Sequence, residues 1–295
     1  MIPPICLHYH GMRSFVTGAV HCAARGLRAG GGGGGRERGF RRRSSTWSSS
    51  NDLFELRSYT LHPHVAKEYV RLVSDAAAVR MRALPSLMGF WLTDTGGDVN
   101  VVHHVYRYRN LEERAETRRK LAMDDEWKEH LREAMPCVLQ MRSEVFRAAD
   151  DVMQAADAAR RMRGSEETGG NTDDDNHNHR HNRHGRPPGV YEMREYQLVA
   201  GYDSVPKLRD AFVRGIRSKL HADKEGELSF FGYTELGQLN RVIEIWRYPS
   251  AQACLDGRVA ARGAQEWRAC IGAAAPLAAR FNSSLMTPLA FSPWQ

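Results

Sequence analysis

Two stretches of this 295-residue chain carry nearly the same sequence, so the chain repeats itself. The segment 54–59, Phe-Glu-Leu-Arg-Ser-Tyr, returns at 191–196 as Tyr-Glu-Met-Arg-Glu-Tyr. Later matches lie 140 positions apart, and this offset is followed without a gap from Phe90/Phe230 through Asn100/Asn240, Tyr106/Trp246 and Trp127/Trp267 to Pro136/Pro276. A constant offset over such a length indicates two copies of one folding unit.

The repeat divides the chain into four predicted parts. Each copy has about 100 residues, which is enough to build a hydrophobic core. Between the copies the chain is rich in Gly, Asn, Asp and His and poor in apolar residues, which is typical of a flexible linker. We predict a leader at 1–51, a first unit at 52–148, a linker at 149–189 with a helical start and a disordered remainder, and a second unit at 190–295.

The formal net charge of +7 comes entirely from residues 1–51. That segment has eight arginines, no lysine and one acidic residue, whereas the remaining chain has 34 basic and 34 acidic residues. A balanced body without a basic stripe argues against nucleic-acid binding. A segment rich in Arg, Ser and Gly predicts a disordered mitochondrial presequence, with a plain basic tail or a chloroplast address as alternatives. No stretch reaches the roughly 18 apolar residues of a spanning helix, so we expect no transmembrane segment.

The first copy shows the order strand, helix, strand, strand, helical region, strand. Pro63 marks a helix start, and an apolar stripe then runs from Val65 to Val79 at three- and four-residue steps. The turn residues 96–98 separate the strands of a hairpin, and Asn110 and Asp124 are helix caps. The second copy repeats this order. The pattern predicts an α+β fold made of two ferredoxin-like repeats.

Strand alternation places polar and aromatic residues together on one face of each sheet. Residues two apart on a strand point the same way. Phe54, Leu56, Ile243 and Ile245 are predicted to face the helices, which leaves the ionisable and aromatic residues on the opposite face. Two sheets that cover these faces against each other would form a closed dimeric α/β-barrel type pseudo-dimer. Its interior would be lined by Glu55, Arg57, His104, Tyr106, Glu192, Arg194 and Trp246.

Two interpretations of this set remain open. In the structural one, the pairs Glu55–Arg57 and Glu192–Arg194 fix strand packing, since charges are rarely buried unpaired. In the functional one, the set lines a ligand cavity in which His104 orients or exchanges protons with the ligand. Glu244 stands where the first copy has His104, so the two units are not chemically equivalent.

Signatures of well-known catalytic sites are absent from the sequence. There is no dinucleotide fingerprint, phosphate loop, zincin motif or nucleophile elbow, so no catalytic residue and no cofactor are predicted. The linker histidines, spaced by two, can bind Zn or Ni weakly but are more typical of a solvated tract, and no metal site is predicted. Cys137, Cys254 and Cys270 show no metal spacing and are expected to be small buried residues in a reducing compartment.

The residues that repeat resemble the NIPSNAP family. The stretch Gly89-Phe90-Trp91 with Gly97, Asn100, His104 and Tyr106 looks like the family's domain motif, and 54–59 looks like its opening strand. The resemblance covers about residues 53–148 and 190–295. It implies a tandem dimeric α/β-barrel and, for several members, mitochondrial residence. The long His/Asn linker and Glu244 depart from the family pattern.

The resemblance also implies a cellular role, but it supplies no catalytic mechanism and no active-site residues. Members are tied to mitochondrial quality control (mitophagy) and to vesicle-related roles. We therefore expect a scaffold or signalling protein in the mitochondrial matrix or at a mitochondrial membrane, with the cytosol as an alternative. Its partners would be autophagy adaptors or other mitochondrial proteins, with homo-oligomers and peripheral membrane association as further options. The alternative is a cofactor-independent small-molecule-binding protein or oxygenase-like enzyme of the same barrel type.

Overall fold

The computed structural model describes residues 51–167 and 188–295. Residues 1–50 of the predicted presequence and 168–187 of the predicted linker, with its histidines, lie outside the described residues. Eight strands are described: β1 (Leu53–Leu61), β2 (Leu87–Thr95), β3 (Val101–Tyr108), β4 (Val138–Ala148), β5 (Val190–Leu198), β6 (Glu227–Leu236), β7 (Arg241–Tyr248) and β8 (Ala278–Pro288). The helices described are α1 (Ala66–Asp75), α2 (Ala77–Ala83), α3 (Leu111–Met123), α4 (Asp125–Ala134), α5 (Asp150–Glu167), α6 (Ser204–Ala222), α7 (Ala251–Gly263) and α8 (Gln265–Ala274).

The eight strands form one closed antiparallel barrel, which confirms the predicted α+β class. Their order around the barrel is β1-β3-β2-β8-β5-β7-β6-β4. Each half of the chain therefore contributes four adjacent strands. The halves are joined where β2 pairs with β8, at Trp91 opposite Pro288, and where β4 pairs with β6, at Phe146 opposite Thr234. Closure leaves no strand edge unpaired, which removes the edges on which sheets aggregate.

Three apolar clusters hold this barrel together. Two lie between the strands and the helices, one in each half. The third takes residues from all eight strands and from no helix, so it fills the barrel interior. At the apolar end of the interior, Trp294 packs against Trp91 with ring centroids 5.8 Å apart, and the hydroxyl of Tyr191 donates to the Gln295 carbonyl over 3.1 Å. The residues after β8 thus pack against the interior cluster.

The predicted assignment of the two sheet faces was wrong. Phe54, Leu56, Ile243 and Ile245 belong to the interior cluster. Tyr106 belongs instead to the cluster beneath the helices of the first half. The physical reason is charge compensation: beside Glu55 and Glu192 the small barrel interior is filled by apolar side chains, and its ion pairs lie at the polar end, where Glu144 and Glu195 already share Arg241. The helices bring arginines to the other face, so the ionisable residues lie beneath them.

The gap-free offset of 140 was also wrong over the second strand of each copy. Phe90 lies opposite His104 in the β2–β3 pair, whereas Phe231, not Phe230, lies opposite Glu244 in the β6–β7 pair. The true offset is therefore 141 on these strands and returns to 140 on the third strands. The first hairpin turn has one residue more than the second, and Gly96 (φ 91°) and Gly237 (φ 124°) both adopt the left-handed conformation there.

The first helical segment differs between the halves. The stripe from Val65 to Val79 predicts one helix, but the structure breaks it at Ala76 (φ −87°, ψ 14°) into α1 and α2. In the second half, α6 runs for 19 residues without a break. The start of the predicted linker is α5, whose Val152 and Met153 are buried in the second-half cluster, so this helix is packed rather than free. No helix among the described residues is long and apolar enough to cross a membrane.

Candidate functional site

Glu55 is the centre of an ionic cluster beneath the first-half helices. Its side chain is fully buried, and its Oε1 accepts hydrogen bonds from Arg57 Nε (2.9 Å), Arg114 Nη2 (2.7 Å) and Ser143 Oγ (2.6 Å). Arg118 lies 3.5 Å from the same oxygen. Burial alone would raise the pKa of Glu55, but the hydrogen bond from Arg114 and the charge of Arg57 outweigh it and lower the pKa to about 2. Glu55 is therefore ionised at neutral pH.

Arg80 forms a second cluster in the same layer. It is 4% exposed, because α2 lays it across the sheet. Its Nη1 donates to the Tyr106 hydroxyl over 2.9 Å, and its Nη2 donates to His130 Nε2 over 3.2 Å. The Tyr106 hydroxyl lies 3.0 Å from His104 Nδ1. The guanidinium carbon also sits 5.2 Å from the ring centre of Phe90, so an aromatic face covers the cation.

Both histidines of this cluster are neutral. Burial and then the charges of Arg80 and Arg57 lower the pKa of His104 well below its usual range. Burial and then Arg80 lower the pKa of His130 to about 4. The Tyr106 hydroxyl accepts from Arg80 and satisfies its own proton by donating to His104 Nδ1, which leaves the His104 proton on Nε2. A neutral imidazole cannot offset the charge of an arginine.

Two donors of this cluster remain buried without an acceptor in the described part of the chain. They are Nε of Arg80 and Nε2 of His104. A buried donor without a partner costs about 1–3 kcal/mol, so two in one cluster are unusual. Arg80 also has no carboxylate within ion-pairing distance among the described residues.

The second half contains a matching glutamate cluster. Glu192 Oε1 accepts from Arg194 Nε (2.7 Å), from Ser283 Oγ (2.8 Å) and from Arg258 Nη2. Burial would raise the pKa of Glu192, but the charge of Arg194 lowers it to about 2. Cys254 stands where the first half has Arg114, and its Sγ lies 3.5 Å from Glu192 Oε2. Burial raises the pKa of this thiol to about 12, so Cys254 is not a nucleophile.

The second cluster of the second half satisfies itself. Lys219, 1% exposed, donates to Asp223 Oδ2 over 2.9 Å and lies 3.6 Å from the ring centre of Trp246. Asp223 also accepts from the Tyr248 hydroxyl over 2.9 Å. Glu244 accepts from Trp246 Nε1 over 2.5 Å and from the Tyr196 hydroxyl. This cluster balances its cation with carboxylates of its own.

Arg80 and Lys219 occupy equivalent positions. α2 ends at Ala83 and α6 at Ala222, three residues after each cation. The amide of Leu84 donates to the Arg80 carbonyl over 2.8 Å, and the amide of Asp223 donates to the Lys219 carbonyl over 2.7 Å. Leu84, 2% exposed, thus stands where the second half has the carboxylate of Asp223. The first half keeps the cation and lacks its anion.

A separate cavity opens at the polar end of the barrel. It has a volume of about 270 Å³. Its wall includes Ser58, whose hydroxyl lies 2.8 Å from His103 Nδ1, and Arg241, which bridges Glu144 and Glu195. Burial and then the charges of Arg241 and Arg142 lower the pKa of His103 to about 4. No carboxylate orients the His103 ring in the described residues, so this pair lacks the third member of a catalytic triad.

The sequence-predicted residues are thus brought together in two groups rather than one. Glu55, Arg57, His104 and Tyr106 lie in the first half, and the remaining predicted residues lie beneath the helices of the second half: Glu192, Arg194 and Trp246. Sequence reasoning missed Arg80, because a cation near an apolar helical stripe is usually a solvated residue. No group of three His, Cys, Asp or Glu side chains that could hold a metal ion occurs within 51–167 and 188–295.

Comparisons with known proteins agree with this architecture. The sequence profile described as NIPSNAP matches residues 54–151 and 191–293. Human Protein NipSnap homolog 3A is 26% identical over 243 residues, which span 81% of this chain and 85% of that protein. Protein NipSnap of Drosophila melanogaster is 31% identical over 106 residues, or 36% of this chain and 37% of its own length.

Solved structures share the barrel at low sequence identity. A protein of Fusobacterium nucleatum superposes with a TM-score of 0.53 at 8% identity, over 82% of this chain and 94% of that one. An anthrone oxidase-like protein superposes with a TM-score of 0.50 at 13% identity, over 83% and 94%. Such identities show a shared fold alone. The profile, in contrast, matches both halves and more than half of the residues, so this chain belongs to the NIPSNAP family.

Proposed function

We propose that this protein binds a small organic molecule between the sheet and the helices of its first half. One observation carries the proposal: the buried donors Arg80 Nε and His104 Nε2 have no acceptor among the described residues. The equivalent second-half cluster supplies its own acceptors, Asp223 and Glu244. Buried donors normally have a hydrogen-bond acceptor. An acceptor supplied by a ligand would explain why the first half lacks the acceptors that the second half has.

The surroundings of these donors suit an organic ligand. Phe90 stacks on His104 with ring centroids 4.8 Å apart, and Tyr59 meets the same imidazole edge-on at 4.8 Å. The Trp127 ring centre lies 5.1 Å from the Arg80 guanidinium. Aromatic walls with a few placed polar groups are typical of small-molecule sites. The neutral histidines and the absence of an activated nucleophile in this cluster favour binding over catalysis.

The broken helix provides a route of entry. α2 carries Arg80 and is separated from α1 at Ala76. Its outer side is fastened to the start of α4 by Arg82, which pairs with Asp124 (3.1 Å) and Glu126 (2.6 Å). These pairs are largely exposed, and exposed pairs contribute only about 0–1 kcal/mol. Entry through this break requires α2 to lift as a short unit, which also takes Leu84 out of the apolar cluster and Arg80 from its hydrogen bonds to Tyr106 and His130.

Native mass spectrometry of the full chain purified from a eukaryotic host tests the proposal. The variant is His104→Ala, and the matched control is His103→Ala, which makes the same change on the opposite face of β3. A small molecule retained by the parent and by the control, and lost from a folded His104→Ala protein, is the expected result. A parent that retains nothing, and that gains no thermal stability from a library of small molecules, contradicts the proposal.

A second candidate is a mitochondrial scaffold or signalling protein of the mitophagy type. Membership of the NIPSNAP family and the arginine-rich, acid-poor composition of residues 1–51 favour it. Its partners would be autophagy adaptors or other mitochondrial proteins, and its rigid body would be two ferredoxin-like repeats joined as a pseudo-dimer. Capture of the full chain from depolarised mitochondria should then recover an autophagy adaptor. Recovery of none, with the protein present in mitochondria, counts against this role.

A further inference from the structure

We infer that the first-half site recognises an organic carboxylate, whose negative charge does for Arg80 what Asp223 does for Lys219. This inference rests on the proposed function and adds the chemical class of the ligand. It is carried by the charges of the two halves rather than by the unpartnered donors alone. A neutral ligand would satisfy those donors and would leave the charge uncompensated.

The buried ionic groups of the second half balance. Around Glu192 and Glu244, three cations face three anions: Arg194, Lys219 and Arg258 with Glu192, Asp223 and Glu244. In the first half, Glu55 is the single anion around the equivalent positions of the described residues; Arg57 and Arg114 already share it, and the exposed Arg118 approaches it from the rim. Arg80 is the fourth cation and has no carboxylate.

Two substitutions between the copies produce this imbalance. Glu244 corresponds to His104, and Asp223 corresponds to Leu84. Each replaces a carboxylate of the second half with a residue that carries no charge in the first. Arginine stays charged throughout the accessible pH range, and burying an unpaired charge is strongly unfavourable. An external carboxylate restores the missing charge and accepts hydrogen bonds from the guanidinium.

The rest of the ligand is organic rather than a simple inorganic anion. The guanidinium of Arg80 lies between the rings of Phe90 (5.2 Å) and Trp127 (5.1 Å). Leu84 and Tyr69 are buried beside them in the same apolar cluster. Phosphate has more charge and more acceptor oxygens than one guanidinium can satisfy, so its remaining oxygens would lose their water against these walls without compensation. A carboxylate with a short aliphatic or aromatic body matches the charge of Arg80 and the apolar character of the side chains around it.

The internal repeat supplies a sharp test. Leu84→Asp installs the carboxylate that the second half has at the equivalent position, and Leu84→Asn is the matched neutral control. Binding of hexanoate and of hexanamide to the full-length protein is measured by calorimetry at fixed ionic strength in chloride. The parent and Leu84→Asn are expected to bind hexanoate about tenfold more tightly than hexanamide. Leu84→Asp is expected to lose that preference, because its own carboxylate occupies Arg80.

The outcomes separate this inference from the proposed function. Equal binding of hexanoate and hexanamide by the parent, unchanged in Leu84→Asp, overturns the carboxylate inference and leaves small-molecule binding standing. Binding of neither compound, with benzoate and butanoate equally inert up to about 1 mM, overturns the inference at this site. In that case the mass-spectrometric comparison of His104→Ala with His103→Ala decides the proposed function by itself.

A measurement without ligand keeps the inference testable if affinities are weak. Aspartate at a buried leucine position ordinarily destabilises a protein more than asparagine does. Here Leu84→Asp is expected to melt at a higher temperature than Leu84→Asn, and this order is expected to reverse when Arg80→Met is added to both. If Leu84→Asp melts at a lower temperature than Leu84→Asn while Arg80 is present, the inference is overturned. If Leu84→Asp does not fold, Arg80→Met alone replaces it: retained hexanoate preference in that variant also overturns the inference.

Discussion

The cost of leaving a buried cation without its carboxylate can be measured in the second half, where the pair is intact. Lys219 and Asp223 are each 1% exposed and lie 2.9 Å apart. Burial lowers the pKa of Lys219, and the charge of Asp223 opposes this effect. Asp223→Leu removes the anion and copies the residue that the first half has at the equivalent position. The variant therefore reproduces one of the two carboxylate losses of the first half and leaves Glu244 in place.

The expected loss is about 3–5 kcal/mol, the usual cost of removing one partner of a buried ion pair. The Tyr248 hydroxyl and the Gly226 amide lose their acceptor as well, since both donate to Asp223 at 2.9 and 3.0 Å. The double variant Lys219→Met/Asp223→Leu removes both charges. It is expected to recover the part of the loss that comes from the unpaired charge, while the Tyr248 hydroxyl and the Gly226 amide stay without their acceptor.

Urea unfolding of the full chain, followed by circular dichroism, gives the change in the free energy of unfolding for the single and the double variant, provided that the dependence of this free energy on urea concentration is the same as in the parent. A loss below about 1 kcal/mol for Asp223→Leu would refute the reasoning. It would mean that aromatic rings, neutral groups and the nearby Glu244 are enough to hold Lys219 without Asp223. The missing counterpart of Asp223 would then give no reason to place an external anion beside Arg80.

Three further predictions concern other parts of the structure. Folding lowers the pKa of Glu55 from 4.5 to about 2, so between these pH values the unfolded chain takes up a proton that the folded protein does not. The contribution of Glu55 to the free energy of unfolding is therefore full above pH 4.5 and falls by about 3 kcal/mol as the pH drops to 2. Glu55→Gln should remove this acid-dependent loss in a pH series of urea unfolding. Trp294→Ala should cost about 3–5 kcal/mol by the same assay, because it opens the apolar end of the barrel, and a cost near zero would mean that this end does not support the core. Arg241→Met should lower the free energy of unfolding by about 3 kcal/mol, because it leaves the buried Glu144 without its ion-pair partner. The control Arg142→Met, at an exposed residue, should change it by no more than about 0.5 kcal/mol. Equal effects of the two substitutions would contradict the assigned ion pairs.

The order of the elements was predictable because local signals agree with one another in both copies. The sequence predicts Asn110 and Asp124 as helix caps, and their side chains accept from the amides of Glu113 (2.8 Å) and Trp127 (2.9 Å). Alternation correctly grouped His104 with Tyr106, and Glu55 with Arg57. These relations depend on neighbours within one strand or one helical turn, which a sequence contains directly.

The sequence does not predict which face of each sheet packs against the helices. Alternation states which residues share a face, but it does not state which face meets the helices. That choice depends on Arg114 and Arg118, which α3 carries to Glu55 from 59 and 63 positions away in the chain. The two hairpin turns also differ in length by one residue, so Phe90 corresponds to Phe231 rather than to Phe230. The sequence does not reveal this shift, because Phe230 and Phe231 are both phenylalanine.

The sequence by itself therefore determined the duplication, the α+β class, the resemblance to the NIPSNAP family and the chemical difference between His104 and Glu244. Only the tertiary structure decided which groups become buried together. Arg80 and Leu84 are four residues apart in the sequence. That Arg80 lacks a carboxylate partner at position 84 is visible only from the comparison with Lys219 and Asp223 in the other half of the barrel. The physical reason is that charge compensation inside a protein is set by distances of a few ångströms between separate elements, and the chain order does not encode those distances.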